Sequence, residues 1–370
     1  AWTVRNAGYR VTILCPRDLE QKGREVVDGI EIYRHPRPPE RTGPIGYLFE
    51  YGTALFWELV FTWWVFFRSG FDVIHLSNPP DMIFVIGGLF KLLFRKKVIF
   101  DHHDICPELY EAKFGRKGLL YSVMCKLEKS SIWTADIVIS TNDSYRRIAI
   151  DRGGKDPSRV FVVRNGPDLE RLTPVAPVPS LKRGRRYLVG YVGTIGAQEG
   201  LKYLLQAASH LIHECQRTDI HFGIVGSGPE LANIRQVASD LKIDDHFTFT
   251  GRVPDKTLLE YLNTAEVCVN PDEHNPMNDS STMIKIMEYM ALSKPIVQFD
   301  LREGRVSAEE ASLYARPNDA VDFAMKIVEL LDDPEKRASM GRYGRDRVER
   351  QLAWKHQAPR LLAAYDRLWS

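Results

Sequence analysis

Paired cysteines are missing from this sequence. Five occur (Cys15, Cys106, Cys125, Cys215 and Cys268), with no CxxC pair and no histidine at the spacing a zinc site needs. That excludes a disulfide scaffold and a structural zinc module, and reads as reduced thiols in a cytosolic protein. An excess of charge is lacking too: the net charge is +2, which gives no argument for nucleic acid as a partner. No stretch reads as a secretory signal, an internal repeat or a low-complexity run. Two glycine-bearing turns occur, but neither carries the Walker lysine and Ser/Thr of a P-loop, which disfavours an NTPase. Neither completes G-x-G-x-x-G with an acid some twenty residues on, which disfavours NAD binding.

The chain has 370 residues, too many for one ordinary domain, so two are expected. It opens on AWTVRN, read as the end of a helix, then a glycine turn and a strand over residues 9–15. A strand should precede such a helix in an α/β domain, so a first strand and its Gly-rich turn are expected to be missing. Short β-rich runs follow at 30–34, 72–76, 97–101, 136–140 and 160–163, with helical segments between them. This pattern predicts a mostly parallel sheet wrapped on both faces. VIHL and IVIS are near-continuously apolar, as strands buried on both faces should be.

Residues 47–67, YLFEYGTALFWELVFTWWVFF, are long enough to span a bilayer, but Glu50 and Glu58 argue against it. Trp57, Trp63 and Trp64 favour an interfacial position, with Arg34, Arg37, Arg41 and Arg68 flanking. A second apolar helix over 83–94 ends in Arg95, Lys96 and Lys97. Apolar faces edged with cations suit peripheral docking on the cytoplasmic face of an anionic plasma membrane. Beyond the strand at 97–101 comes DHHDICPELY. Adjacent histidines are poorly spaced for one metal ion, so a polar or catalytic cluster is expected there, with His103 as its key group.

Pro174, Pro177, Pro179 and the basic LKRGRR mark a linker. The domains expected are 1–172, a linker at 173–186, a second α/β domain at 187–350, and a C-terminal helix at 351–370 packing back on the first domain. Strands are expected at 187–193, 220–226, 246–251, 267–270 and 295–299. Leu201, Leu204, Leu205, Ala208, Leu211 and Ile212 form a helical stripe. Two similar sheets imply a cleft between them, a common small-molecule site. Gly193-Thr-Ile-Gly196 and Gly226-Ser-Gly228 are turns that permit close backbone approach, either by a ligand or by neighbouring chain. Residues 271–279 read as a polar loop feeding a helix over 281–292, with Ile284, Met287 and Ala291 on one stripe. Free amides at that helix start would make an anion site. Glu288 is placed to accept hydrogen bonds from a ribose diol, or is an ordinary surface residue.

In this order the stretches VVRNGPDLERL, YVGTIGAQEGLKYLLQA, FGIVGSGPELANI, FTGRVPDKTLLEYLNTAEVCVNP and MIKIMEYMALSKPIVQFD resemble a GT-B glycosyltransferase of the large retaining family numbered four. GYRVTILCP and DHHDICPE represent its N-terminal domain, and QEG and KIMEYMA point to one branch. The resemblance implies an α/β fold of two Rossmann-like domains with parallel sheets facing a cleft. It implies a nucleotide-sugar donor on the second domain, UDP or GDP being expected, an acceptor on the first, and no essential metal or other cofactor. Glu288 then matches the ribose ligand. Ser281, Thr282 and Met283 match the segment whose amides meet the phosphate and sugar. Gly226 and Gly228 match a nucleotide-side turn, Arg252 and Val253 the segment beside the base. Gly193 and Gly196 match the turn against the diphosphate, and His103 the histidine facing the reacting sugar.

Two departures stand out. The family's first glutamate of a pair seven residues apart would fall at Ser280, and its diphosphate-neutralising Arg and Lys at Thr194 and Glu199. The cation role is then expected to pass to Arg252 or Lys285, and the acid role to Asp279. The expected activity is retaining sugar transfer to a lipid-linked or polysaccharide acceptor in surface glycan synthesis. A nucleotide-sugar 2-epimerase and a non-catalytic GT-B partner subunit are the alternatives.

Overall fold

The computed structural model describes residues 1–18, 21–37 and 44–370; Arg41, one of the flanking cations, lies outside them. The chain divides into one unit of Ala1–Val163 with Ala358–Ser370, and a second of Arg164–Gln357.

The first unit starts with a short helix, α1 (Trp2–Asn6), and then β1 (Thr12–Pro16), which pairs in parallel with β3 (Ile30–His35). The strand β2 (Arg24–Val27) joins β3 antiparallel and was not expected. Its Arg-Glu-Val-Val run is short and largely exposed, so no buried pattern announces it. The strands β4 (Val73–Ser77), β5 (Lys97–His102), β6 (Ile137–Ser140) and β7 (Val160–Val162) form a parallel sheet in chain order. Val98, Ile99 and Phe100 on β5 and Ile137, Val138 and Ile139 on β6 are all buried, because helices cover a parallel sheet on its faces.

Those helices are α2 (Pro44–Ser69), α3 (Phe84–Phe94), α4 (Cys106–Phe114), α5 (Leu119–Thr134) and α6 (Asp143–Asp151). Leu55, Leu59, Trp63 and Phe66 pack α2 against the core around Phe90 of α3. The Trp63 ring lies 4.8 Å from that of Phe90, which corrects the interfacial reading of Trp63: it is a packing residue. Phe56, Val60, Trp64 and Phe67, one position further round the helix, are exposed instead. Trp57 is half-buried. Among the described residues no helix is long and apolar enough to cross a membrane.

The second unit holds β8 (Tyr187–Val192), β9 (Ile220–Val225), β10 (Phe247–Gly251), β11 (Val267–Asn270), β12 (Ile296–Phe299) and β13 (Ser312–Ala315). Their spatial order is β10-β9-β8-β11-β12-β13, a doubly wound parallel sheet read as 3-2-1-4-5-6. The chain reverses its direction of travel between β8 and β11, and such a switch point is where open α/β sheets bind ligands. The helices are α7 (Leu201–Ser209), α8 (Leu231–Asp240), α9 (Asp255–Thr264), α10 (Pro276–Ser280), α11 (Ile284–Ala291), α12 (Arg302–Ala308), α13 (Ala320–Asp332) and α14 (Pro334–Arg347). The last helix, α15 (Trp354–Asp366), belongs to the first unit from Ala358 on. The stripe expected from Leu201 to Ile212 is buried throughout, in α7 and the wider turn that follows it. All five cysteines are free thiols.

Candidate functional site

Every site residue read from the second half of the sequence follows the carboxyl end of a strand. Gly193 and Gly196 follow β8, Gly226 and Gly228 follow β9, and Arg252 and Val253 follow β10. Asp279 to Glu288 follow β11, across the switch point from β8.

The two glycine turns meet each other. A Cβ on Gly226 would sit 1.8 Å from the Gly193 carbonyl oxygen, and one on Gly228 only 2.3 Å from that of Ile195. Close packing is sealed by the Ile195 N–H donating to the Ser227 carbonyl at 3.1 Å and the Glu230 N–H to that of Ile195 at 2.9 Å. Gly226 and Gly228 are therefore required by neighbouring backbone. The β8 turn is also stitched to the loop after β11: Asn278 Nδ2 donates to the Gln198 carbonyl at 2.9 Å, and Lys202 pairs with Glu273.

That loop differs from the expected plain coil. Asn275 caps α10 through its side chain, which accepts from the Asn278 N–H at 2.9 Å, and Pro276 takes the first helical position. The next helix begins at Ile284, three residues later than expected, because Ser281 and Met283 are extended (ψ 136° and 114°). Ser281, Thr282 and Met283 thus form a strap between two helices and do not belong to the first turn of one. Ser281 Oγ donates to the Met277 carbonyl at 2.8 Å. Ile284 is 48% exposed, and the buried face of α11 is Ile286, Met287, Tyr289 and Met290.

Lys285 reaches back under the β8 turn. Its Nζ lies 2.8 Å from Asp272 Oδ1 and 4.9 Å over the Tyr191 ring, and its Cε is 3.6 Å from where a Gly193 Cβ would be. Asp272 is 1% exposed; burial pushes its carboxyl up, and Lys285 opposes that. Burial would lower Lys285, but Asp272 outweighs it and the ammonium is held firmly protonated. Glu199, at the position where the resemblance implies a lysine, is raised by burial, with Lys285 again opposing. Among the described residues, Asp272 Oδ2, Asn270 Oδ1 and Glu199 Oε2 are buried with no hydrogen-bond partner.

Glu288 is not a plain surface residue. Its Oε1 accepts from Arg171 at 2.7 Å, and Arg171 also reaches Asp255 at 3.3 Å, three residues past Arg252. Sequence reasoning passed over Arg171, although it lies inside the VVRNGPDLERL stretch. The Asp279 carboxylate accepts from the Arg302 N–H at 2.8 Å, capping α12, and pairs with the Arg302 guanidinium at 3.4 Å. It ties the loop to α12, so the residue expected to take the acid role is held in an ion pair with Arg302. Ser280 closes α10 next to it. Arg252 is exposed and meets none of these groups.

In the first unit, His103 follows β5. Its Nε2 lies 3.1 Å from Asp101 Oδ2, and its backbone N–H donates to Asn78 Oδ1 at 2.9 Å. The hydrogen bond to Asp101 raises the imidazole above its ordinary 6.5, against burial. Burial alone would raise Asp101, but hydrogen bonds from His103 and His75 outweigh it and hold the carboxyl well below 3.8. Buried Asn78 also donates to Asp81 Oδ1 at 2.8 Å and to the Asp104 carbonyl at 2.6 Å, so it clamps the DHHD loop. Among the described residues no three His, Cys, Asp or Glu side chains are grouped to hold a metal ion.

A doubly wound sheet with its polar groups gathered at the switch point defines a Rossmann-like binding unit. Residues 3–166 match the Glycosyl transferase 4-like domain family and residues 186–333 match Glycosyl transferases group 1. Between them these place the chain among the glycosyltransferases of those families. It is 26% identical over 304 residues to alpha-maltose-1-phosphate synthase of Mycolicibacterium smegmatis, covering 75% of each protein. It is 26% identical over 183 residues to 2-deoxystreptamine glucosyltransferase of Streptomyces kanamyceticus, covering 49% of this chain and 46% of that one. The chain thus matches about half the length of that relative. Sucrose-phosphate synthase from Thermosynechococcus elongatus superposes with a TM-score of 0.80 at 21% identity, over 99% of this chain and 91% of that one. Anabaena HepE, in complex with UDP-glucose, gives 0.70 at 15% identity over 91% and 86%. The fold is GT-B, with two Rossmann-like domains.

Proposed function

We propose that this chain moves a sugar from a UDP- or GDP-sugar to a lipid-linked or polysaccharide acceptor, with retention and without a metal, in the synthesis of a surface glycan. The observation that carries the reading is Lys285. It is a buried, firmly protonated ammonium at the switch point, beside the Gly193 turn. Around it, the unpartnered oxygens of Asp272, Asn270 and Glu199 form an acceptor-rich wall that suits hydroxyl donors such as those of a sugar. The UDP-glucose bound by HepE supports a nucleotide-sugar guest. Retention rests on the family resemblance alone.

Cleaving the bond between sugar C1 and the diphosphate puts negative charge on the leaving oxygen and positive charge on the ring. Preorganised donors aimed at such charge are worth a few kcal/mol each. Lys285 and the amides of the 281–283 strap take that role here, with Arg252 as an exposed second cation. Glu288 offers its Oε2 to the ribose diol while Oε1 stays with Arg171. His103 stabilises the sugar, and no side chain is assigned as nucleophile.

The test is a thermal-shift screen of UDP-, GDP-, ADP- and dTDP-sugars with and without EDTA. One nucleotide at a hundred times its Kd should stabilise the protein by about 2.7 kcal/mol, indifferent to EDTA and lost in Glu288→Ala. A transition that none of these nucleotide sugars shifts would count against the donor site and favour the non-catalytic GT-B partner.

The acceptor reading includes peripheral contact with an anionic membrane. Its support is the exposed stripe Phe56, Val60, Trp64 and Phe67, joined by Leu92 and Leu93 ahead of Arg95. Arg68 lies 5.3 Å over the Trp64 ring. The double change Trp64→Ser/Phe67→Ser should sharply reduce sedimentation with phosphatidylserine vesicles and leave the thermal transition nearly unmoved. Trp63→Ala should do the reverse, since its ring packs on Phe90. Equal vesicle binding by wild type and the double variant would remove the membrane from the proposal.

A further inference from the structure

The polar group around His103 extends past its carboxylate. Asp101 Oδ2 is shared by two imidazoles, Nε2 of His103 at 3.1 Å and Nε2 of His75 at 3.2 Å. The second nitrogen of His75, Nδ1, lies 2.9 Å from the Tyr365 hydroxyl. Tyr365 is buried near the end of α15, 290 residues from His75 in sequence, with its ring edge-on to Tyr9 at 5.3 Å. The four side chains make one line from the C-terminal helix to the ligand edge of β5.

We infer that Tyr365 and His75 are positioning residues for His103, acting through Asp101. The inference rests on the reading of His103 as the group that serves the reacting sugar. Which nitrogen of an imidazole carries the proton is set by what its other nitrogen bonds. With the Tyr365 O–H donating to Nδ1, His75 presents an Nε2–H to Asp101 and fixes the plane of the carboxylate. His103 Nε2–H then meets an acceptor in a set place. Burial raises the Tyr365 phenol, so its oxygen keeps the proton it donates.

Few other charges address the group. From its own loop Asp104 also favours the charged imidazole, and Lys113 of α4 faces Asp104 in turn. From the segment after β4, Asn78 Oδ1 accepts from the backbone N–H groups of His103 and Asp104. From α15 and the N-terminus, among the described residues, come Tyr365 and Tyr9. Among the described residues, Asp101 is therefore the partner through which the C-terminal helix can act on His103. Docking of α15 by itself needs rings and no hydroxyl.

The test is titration of the full chain with ¹³C-labelled histidine, the His103 signal being assigned among the ten histidines by its loss in His103→Gln. Asp101→Asn should abolish the raised His103 midpoint. His75→Phe and Tyr365→Phe should each lower it part of the way. Tyr9→Phe, which keeps the ring packing, should leave it in place. In turnover with donor and acceptor, Tyr365→Phe should lower kcat roughly three- to tenfold, about what one neutral hydrogen bond is worth, at unchanged donor KM. An unmoved His103 midpoint in Tyr365→Phe overturns the inference, as does an equal shift in Tyr9→Phe. If the midpoints move as stated while the wild-type protein turns over no nucleotide sugar, the positioning line stands and the transferase reading falls.

Discussion

Lys285→Met is expected to lower turnover by about 10²–10³ and to cost about 3–5 kcal/mol of stability at neutral pH. The two losses have different origins, and a second substitution separates them. The stability loss arises because Asp272, 1% exposed, has among the described residues Lys285 as its one cation, and removing one member of a buried pair leaves the other charged or forces it to take a proton. Asp272→Asn relieves that charge. The double variant Lys285→Met/Asp272→Asn should therefore recover most of the denaturant midpoint. Turnover is different if Lys285 neutralises the leaving diphosphate: the double variant should stay as slow as the single one. Recovery of both together would mean that Lys285 only holds Asp272, and the leaving-group role would have to move to Arg252.

The second unit was legible in outline from periodicity. The strands β8, β9, β11 and β12 are buried along their whole length. Each strand expected there ends within a residue or two of the observed one, since a strand buried on both faces has little room for polar residues until it reaches the ligand edge. The strand β10 alternates in sequence and is only partly buried, and β13 was not expected. The loop after β11 was read less well. Asn275-Pro276 is a cap followed by a first-turn proline, a start signal available in the sequence, yet the Ser280-Ser281-Thr282 run looks like the stronger cap and drew the helix start three residues early.

Side-chain partnerships were the part that sequence could not show. Arg171 and Glu288 are 117 residues apart, and Tyr365 and His75 are 290 apart. Local spacing carries no record of such pairs; only the sheet order brings them together. DHHD was legible as a polar cluster at a strand end, but the division of labour inside it was not. His103, just past the strand, takes Asp101, while His102, the last residue of β5, points into the core towards Glu128.

His102 leads to the other large expected effect, Arg152→Met, which should cost about 3–5 kcal/mol at pH 7. Arg152 bonds two acids at once, Glu108 of α4 at 2.6 Å and Glu128 of α5 at 2.7 Å through its Nη atoms. Glu128 also lies 3.2 Å from His102 Nε2, so one guanidinium just past the end of α6 links that helix to α4, α5 and β5. The Glu128 side chain is fully buried. Burial alone would raise the Glu128 carboxyl, but His102 and Arg152 together hold it below the ordinary 4.5. A depressed carboxyl stabilises the fold above its unfolded pKa, and that contribution is lost as pH falls through the folded value. Removing Arg152 takes away that depression, so urea unfolding of wild type and variant should differ most near neutrality, and the gap should narrow as the pH is taken down to about 4. Glu128→Gln in the Arg152→Met background should recover part of the loss at pH 7 and little at pH 4. A gap that stays constant with pH would assign the cost of losing Arg152 to its packing and not to its charge.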